Sequence, residues 1–167
     1  MWKFVLIACT ALGAAGAARA QDQAGQAGQA FASAATSAGM AAVALGEMAD
    51  ARSTNVRVQT LGRDIARDQA ATNADIARIA GDRGFGLPDS VDAGADQREA
   101  ELGALTGEDF DRRLLEALVI EHAAQLALYE REASLGADPD LRALARRTLP
   151  ALRAHLASAK ALQDAAR

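Results

Sequence analysis

The chain has 167 residues, and its 18 Lys and Arg against 22 Asp and Glu give a formal net charge of −4 at neutral pH. This balance argues against a nucleic-acid-binding protein, which would need a basic face. Half of the residues are hydrophobic but only 4% are aromatic, so the apolar side chains are mainly Ala, Leu, Val and Ile. The length suits one domain with its own core and is too short for a two-domain nucleotide enzyme.

Residues 1–20 have the pattern of a secretory signal peptide. Lys3 gives a positive start, a run of apolar and small residues follows, and Ala18-Arg19-Ala20 matches the small-x-small cleavage rule. The run is too short for a transmembrane helix, which needs roughly 20 apolar residues. We therefore expect cleavage after Ala20, a periplasmic or outer-envelope location, and no transmembrane span in the mature chain.

A second interpretation of the same segment is lipidation at Cys9. Leu6-Ile7-Ala8-Cys9 has the form of a bacterial lipobox, although very few residues precede it. Cys9 is the single cysteine of the sequence. A mature chain that begins at Gln21 therefore forms no disulfide and has neither a thiolate metal site nor a cysteine nucleophile.

The first half of the mature chain predicts a polar leader and two helices. Residues 21–28, QDQAGQAG, are a polar repeat for which we expect a flexible leader. Apolar residues then recur at helical spacing and predict a helix from about Ala30 to Ala51. The inner row of this helix is rich in alanine, which indicates close approach of a neighbouring helix. Residues 53–55 form a turn and N-cap cluster, and a second helix is predicted from there to about Gly81.

The second half predicts a loop over residues 81–92, a short helix over about 93–105, and two further long helices. Thr106 begins a helix over about 107–135 in a capping-box arrangement. Asp138 and Pro139 begin the last helix, in which Pro150 predicts a kink.

No part of the sequence has the alternation of apolar and polar residues that is typical of strands. Four long helices, each with one apolar stripe, close most simply as an antiparallel bundle. We therefore predict an all-α domain over residues 29–166, a four-helix bundle with a short extra helix between the second and third long helices.

Seven stretches in order resemble the domain-of-unknown-function 4142 family, a group of secreted bacterial proteins often labelled outer-membrane proteins. They lie at residues 41–46, 68–73, 86–88, 107–111, 121–122, 138–141 and 148–156. The resemblance covers roughly residues 31–162 and rests on the order and spacing of the pieces. It implies a ferritin-like four-helix bundle and a periplasmic or outer-envelope location, and it implies no known reaction.

Ferritin-like bundles characteristically hold a pair of metal ions between carboxylates and histidines that project inward. The usual pattern of this family has a Glu on the first helix, a His after the Asp on the second, and one His on each of the last two. Ala42 and Gln69 stand at the first two positions in this sequence. His122 and His155, the two histidines of the chain, remain as candidate ligands for iron, manganese or zinc.

Each candidate also has a structural interpretation. His122 is then a core histidine that is hydrogen-bonded to Gln69, Gln125 or Tyr129, because a buried imidazole needs a partner. His155 is likewise either a metal ligand or a core histidine. The structural interpretation of Gln69 is a polar tie between helices. The basic side of the last helix is either solvated or in contact with anionic lipid or another subunit; its residues are Arg142, Arg146, Arg147, Arg153 and Lys160.

The sequence contains no phosphate-binding loop, HExxH motif, GxSxG motif or Rossmann turn, so we predict no catalytic residues and no required cofactor. Three functions remain, of which the third is a membrane-surface module that uses the basic side of the last helix. The first is a non-catalytic binding or structural module of the bacterial cell envelope, with an envelope protein or the membrane surface as its partner. The second is a residual metal-binding protein for storage or protection against oxidants, centred on His122 and His155.

Overall fold

The computed structural model describes residues 11–91 and 93–165, with only the backbone described at residues 11–20 and 93. Cys9 and the first half of the predicted signal peptide lie outside these residues. The described residues form five α-helices and no strand: α1 (Ala11–Arg52), α2 (Val56–Arg83), α3 (Ala93–Gly103), α4 (Gly107–Leu135) and α5 (Pro139–Ala165). In this part of the chain, no helix is both long enough and apolar enough to cross a membrane.

The helices begin close to the predicted capping residues. Asn55 accepts a hydrogen bond from the backbone N–H of Arg57 at 3.0 Å and so caps α2. Asp138 caps α5 in the same way, through the N–H groups of Asp140 and Leu141 at 2.9 and 3.0 Å. Thr106 occupies the N-cap position of α4, but its side chain accepts no capping hydrogen bond from the described residues. Helix α5 continues through Pro150, which is exposed.

Residues 21–28, for which the sequence predicts a flexible leader, are helical and continuous with α1. Alanine and glutamine favour a helix, and no proline interrupts this segment. Gly28 is buried against Phe85: a Cβ atom at this position would lie 3.2 Å from the phenylalanine ring. The amide of Gln29 accepts a hydrogen bond from the N–H of Gly86 at 3.0 Å. The start of α1 is therefore attached to the loop that follows α2.

The four long helices form an antiparallel bundle in which α1 packs against α2 and α4, and α5 packs against the same two helices. Arg83, at the end of α2, is ion-paired with Asp138 at the start of α5. Arg52, at the end of α1, lies over the ring of Phe110 at the start of α4. The connection between α2 and α4 therefore runs the length of the bundle and carries α3. One long crossover of this kind is the ferritin-like topology.

Helices α1 and α2 approach each other at two glycines. A Cβ atom at Gly46 would lie 2.6 Å from the carbonyl oxygen of Gly62, and one at Gly62 would lie 2.5 Å from the Cβ of Ala49. Neither position has room for a methyl group, so the two backbones are in direct contact. This confirms the close approach that the small residues of the first helix predict.

The core has two apolar parts. One contains Leu45, Ile65, Phe110 and Leu118 and lies towards the α1–α2 turn. The other contains Phe31, Ile76, Tyr129 and Leu141 and lies towards the α4–α5 turn. Along each of α2, α4 and α5, the residues between these two parts include buried polar side chains. A polar layer therefore divides the core near the middle of the bundle.

Candidate functional site

The polar layer consists of Gln69 on α2, His122 and Gln125 on α4, and His155 on α5. All four side chains are buried, and His122 has no exposed surface at all. The inward direction that the sequence predicts for both histidines and for Gln69 is therefore confirmed. The rings of the two histidines meet edge to face, with their centroids 5.5 Å apart.

His122 is hydrogen-bonded to its own helix. Its Nδ1 lies 3.0 Å from the carbonyl oxygen of Leu118, and because a carbonyl only accepts, Nδ1 carries the proton. The other ring nitrogen, Nε2, is buried and has no hydrogen-bond partner among the described residues. The prediction that His122 is hydrogen-bonded to Gln69, Gln125 or Tyr129 is therefore wrong.

His155 has the opposite arrangement of its two nitrogens. Its Nε2 lies 3.2 Å from the carboxylate oxygen Oδ2 of Asp68 on α2. A carboxylate also only accepts, so Nε2 carries the proton and Nδ1 has a free lone pair. This Nδ1 is buried and is likewise unpartnered within the part of the chain that the structure describes.

Gln69 and Gln125 connect the helices across the bundle. The Nε2 group of Gln69 donates to Oε1 of Gln125 at 2.5 Å, and Nε2 of Gln125 donates to the carbonyl of Ala38 on α1 at 3.1 Å. Oε1 of Gln69 is buried and accepts no hydrogen bond from any described residue. The polar tie that the sequence predicts at Gln69 is thus present, with Gln125 as its partner.

Ala42 lies one helical turn beyond Ala38 and is fully buried in the adjoining apolar part of the core. Its methyl group offers no ligand atom. Glu121 also lies outside the layer, because it is ion-paired with Arg98 of α3 at 2.7 Å. The sequence therefore predicts correctly that the histidines and Gln69 face inward, whereas the bond between Gln69 and Gln125 depends on how α2 and α4 face each other.

Both histidines are held in the neutral form. Burial, and secondarily the neighbouring His155, lowers the pKa of His122 to about 4. Burial also lowers the pKa of His155, although Asp68 acts in the opposite direction. At neutral pH the layer therefore contains two uncharged imidazoles, each with one protonated and one unprotonated nitrogen.

This arrangement partly fits a metal ion. Metal-binding histidines usually donate their second ring N–H to a carboxylate or a backbone carbonyl, as His155 and His122 do here. Among the described residues, however, no three His, Cys, Asp or Glu side chains come together in a way that could hold a metal. The available donors are two imidazole nitrogens and the amide oxygen of Gln69. None of these donors is a carboxylate, which a pair of ions would need.

The basic side of α5 is largely engaged within the bundle. Arg142 and Arg146 donate to the carbonyls of Gly136 and Ala133 at 2.7 and 3.0 Å, at the end of α4. Arg153 is ion-paired with Glu130 at 2.9 Å. These arginines therefore hold α4 and α5 together, and only part of their charge remains for an external partner.

The chain is similar to a family of known sequence and to a solved structure. The family described as a domain of unknown function, DUF4142, matches residues 13–162. The crystal structure of a DUF305 fragment from Deinococcus radiodurans has a similar fold, with a TM-score of 0.73 and 18% sequence identity. The superposed region covers 83% of this chain and 95% of the DUF305 chain. At this identity the likeness concerns the fold alone. No curated protein matches the sequence. The family match covers nearly the whole chain, and the protein therefore belongs to the DUF4142 family.

Proposed function

We propose that this protein is a non-catalytic binding module of the bacterial cell envelope, and that it binds one divalent transition-metal ion between His122 and His155. One observation carries the proposal: two buried imidazoles in contact with each other each have an unprotonated nitrogen without a partner among the described residues. Buried polar atoms nearly always have a hydrogen-bond partner, so two such nitrogens on neighbouring rings favour a ligand.

The location in the envelope is supported by the sequence of the first 20 residues. The positive start, the apolar run and the Ala18-Arg19-Ala20 site agree with export and with cleavage after Ala20. The alternative, a lipoprotein attached through Cys9, would place the same bundle at a membrane surface. Both forms put the polar layer in an extracytoplasmic compartment.

The residues of the layer have separate roles in this proposal. Nε2 of His122 and Nδ1 of His155 are the ligand atoms, and Oε1 of Gln69 is the third donor. The Leu118 carbonyl and the Asp68 carboxylate hold the two rings in the required tautomers. A neutral, nitrogen-rich donor set favours zinc over manganese or iron(II). The metal would serve storage or protection against oxidants.

The proposal is tested by metal analysis of the untagged protein purified from a periplasm, followed by zinc titration of the metal-free form. We expect near-stoichiometric metal in the wild type and none in the His122→Ala/His155→Ala double variant. Asp68→Asn should weaken zinc binding by roughly 10–100-fold, because it replaces the charged carboxylate that orients His155 with a neutral amide. Asp64→Asn, one turn earlier and ion-paired with Arg67, is the matched control and should leave binding unchanged.

Trace metal in the wild type, together with no zinc binding by the folded protein, would contradict metal binding. The bundle would then be a structural module, and the search would turn to envelope proteins and to the membrane surface as partners. Binding of zinc that persists in the double histidine variant would also contradict the proposal, because the ion would then occupy another site.

A further inference from the structure

A second site lies at the end of the bundle where α4 meets α1. A cavity of about 330 Å³ opens there between Ala27, Ala30 and Phe31 of α1 and Leu128, Glu132 and Leu135 of α4. It shares no residue with the histidine layer. Its walls are apolar apart from Glu132 and the edge formed by Arg131 and Gly136. Leu135 is 79% exposed, so one wall consists of a large apolar side chain that faces solvent.

Glu132 is the unusual member of this cavity. The residue is buried, with a relative exposure of 8%, and its carboxyl oxygen Oε1 has no hydrogen-bond partner among the described residues. Burial, aided by Asp138 and opposed by Arg142, raises the pKa of this carboxyl group. Buried carboxyl groups are normally paired, because an unpaired charge or donor in an apolar site is costly. Glu132, in the wall of the cavity, therefore has a carboxyl oxygen that lacks a hydrogen-bond donor.

The apolar walls define the rest of the ligand. Phe31 packs edge to face on Tyr129 with their centroids 5.3 Å apart, which fixes the ring that lines the cavity. An aromatic face attracts a cation, and leucine and alanine side chains attract an alkyl or aryl group. A volume of this size lies at the lower end of the range for small-molecule pockets. Arg131 is exposed at the edge, where solvent screens its charge.

We propose that this cavity binds a small primary ammonium compound with an apolar body, whose ammonium group pairs with the Glu132 carboxylate. The alkyl or aryl body lies against Phe31, Leu128 and Leu135. The acceptor then has its donor, and the exposed surface of Leu135 is partly covered. This site is separate from the proposed metal site, since the two share no residue.

The experiment measures the binding of hexylammonium to the full protein by calorimetry and by NMR. Hexanol and hexanoate serve as the neutral and anionic probes of equal length. We expect hexylammonium to bind at least 10-fold more tightly than either probe, and Glu132→Gln to abolish that preference. Glu130→Gln is the control, because Glu130 lies on the same helix, is exposed, and pairs with Arg153 outside the cavity.

Ala30→Leu provides a second, steric test at an exposed position, where the larger side chain fills the cavity without entering the core. It should abolish binding of hexylammonium while the protein stays folded. Equal binding of the three probes, no binding of hexylammonium, or unchanged binding in Glu132→Gln or Ala30→Leu would each overturn the proposal.

Discussion

Nε2 of His155 lies 3.2 Å from Oδ2 of Asp68, and this contact joins α5 to α2 at the edge of the polar layer. Asp68 is about one-third exposed, whereas His155 is almost fully buried. The carboxylate thus reaches the imidazole from the solvent side and determines which nitrogen carries the proton. The other nitrogen, Nδ1, is left buried and without a hydrogen-bond partner among the described residues. The properties of the layer at different pH values follow from this arrangement.

Acidification should destabilise the fold through His122. The pKa of His122 is about 4 in the folded protein, whereas an ordinary histidine has a pKa of 6.5. Between pH 6.5 and pH 4, the unfolded chain therefore binds a proton at His122 that the folded protein does not bind. The stability present above pH 6.5 is therefore lost as the pH falls towards 4, by about 3 kcal/mol for this residue. His155, whose pKa is also lowered, acts in the same direction. Urea unfolding at a series of pH values between 7 and 4 measures the loss.

His122→Asn is the control for this prediction, because it removes the titrating group. The difference in unfolding free energy between the wild type and His122→Asn should shrink as the pH falls. A difference that is constant from pH 7 to pH 4 would show that His122 titrates normally in the folded protein.

The bond between Gln69 and Gln125 should appear as coupling in a double-mutant cycle. Gln69→Leu leaves Oε1 of Gln125 without its donor, and Gln125→Leu leaves Nε2 of Gln69 without its acceptor and removes the hydrogen bond to the Ala38 carbonyl. Each single change should cost about 1–3 kcal/mol of unfolding free energy. The double change should cost less than the sum, as chemical denaturation would measure. Strict additivity would mean that the two amides do not interact.

The contact between Gly46 and Gly62 should be intolerant of a methyl group. Gly46→Ala places a Cβ atom against the backbone carbonyl of Gly62, so α1 and α2 must separate. We expect a loss of about 1–3 kcal/mol, as for other overpacked interiors. Gly81→Ala, within α2 and with open space around it, is the control. It should raise the melting temperature slightly, because alanine favours a helix over glycine. Equal effects of the two changes would contradict the close approach.

Arg52 should control the attachment of α3. Its guanidinium donates to the carbonyls of Leu102, Gly103 and Leu105 at 3.1, 3.0 and 2.7 Å, and it lies 4.8 Å from the centre of the Phe110 ring. Arg52→Met should speed amide hydrogen exchange over α3 much more than over α2. Arg52→Lys should restore slow exchange over α3 only in part, because an ammonium group lacks the planar fork of donors that a guanidinium group has. Uniform exchange across both helices would show that α3 is held by other contacts.

Most of the local structure of this protein can be predicted from its sequence. The bounds predicted for the helix over 107–135 agree with α4, and Asn55 and Asp138 cap the helices that follow them. The apolar rows predict which residues are buried, His122 and His155 included. These features depend on intervals of three and four residues and on single capping side chains, so the information lies within one helix.

Contacts between helices required the tertiary structure. The partner of His122 is the Leu118 carbonyl of its own helix, and the partner of Gln69 lies 56 positions away on α4. The helical start of α1 depends in part on its contacts with the loop after α2. Neither the unpaired Glu132 nor its cavity has a marker in the sequence, because a glutamate on a helix is ordinarily solvated. Periodicity determines which side of a helix faces inward, whereas the pairing of polar atoms depends on the rotation and approach of neighbouring helices.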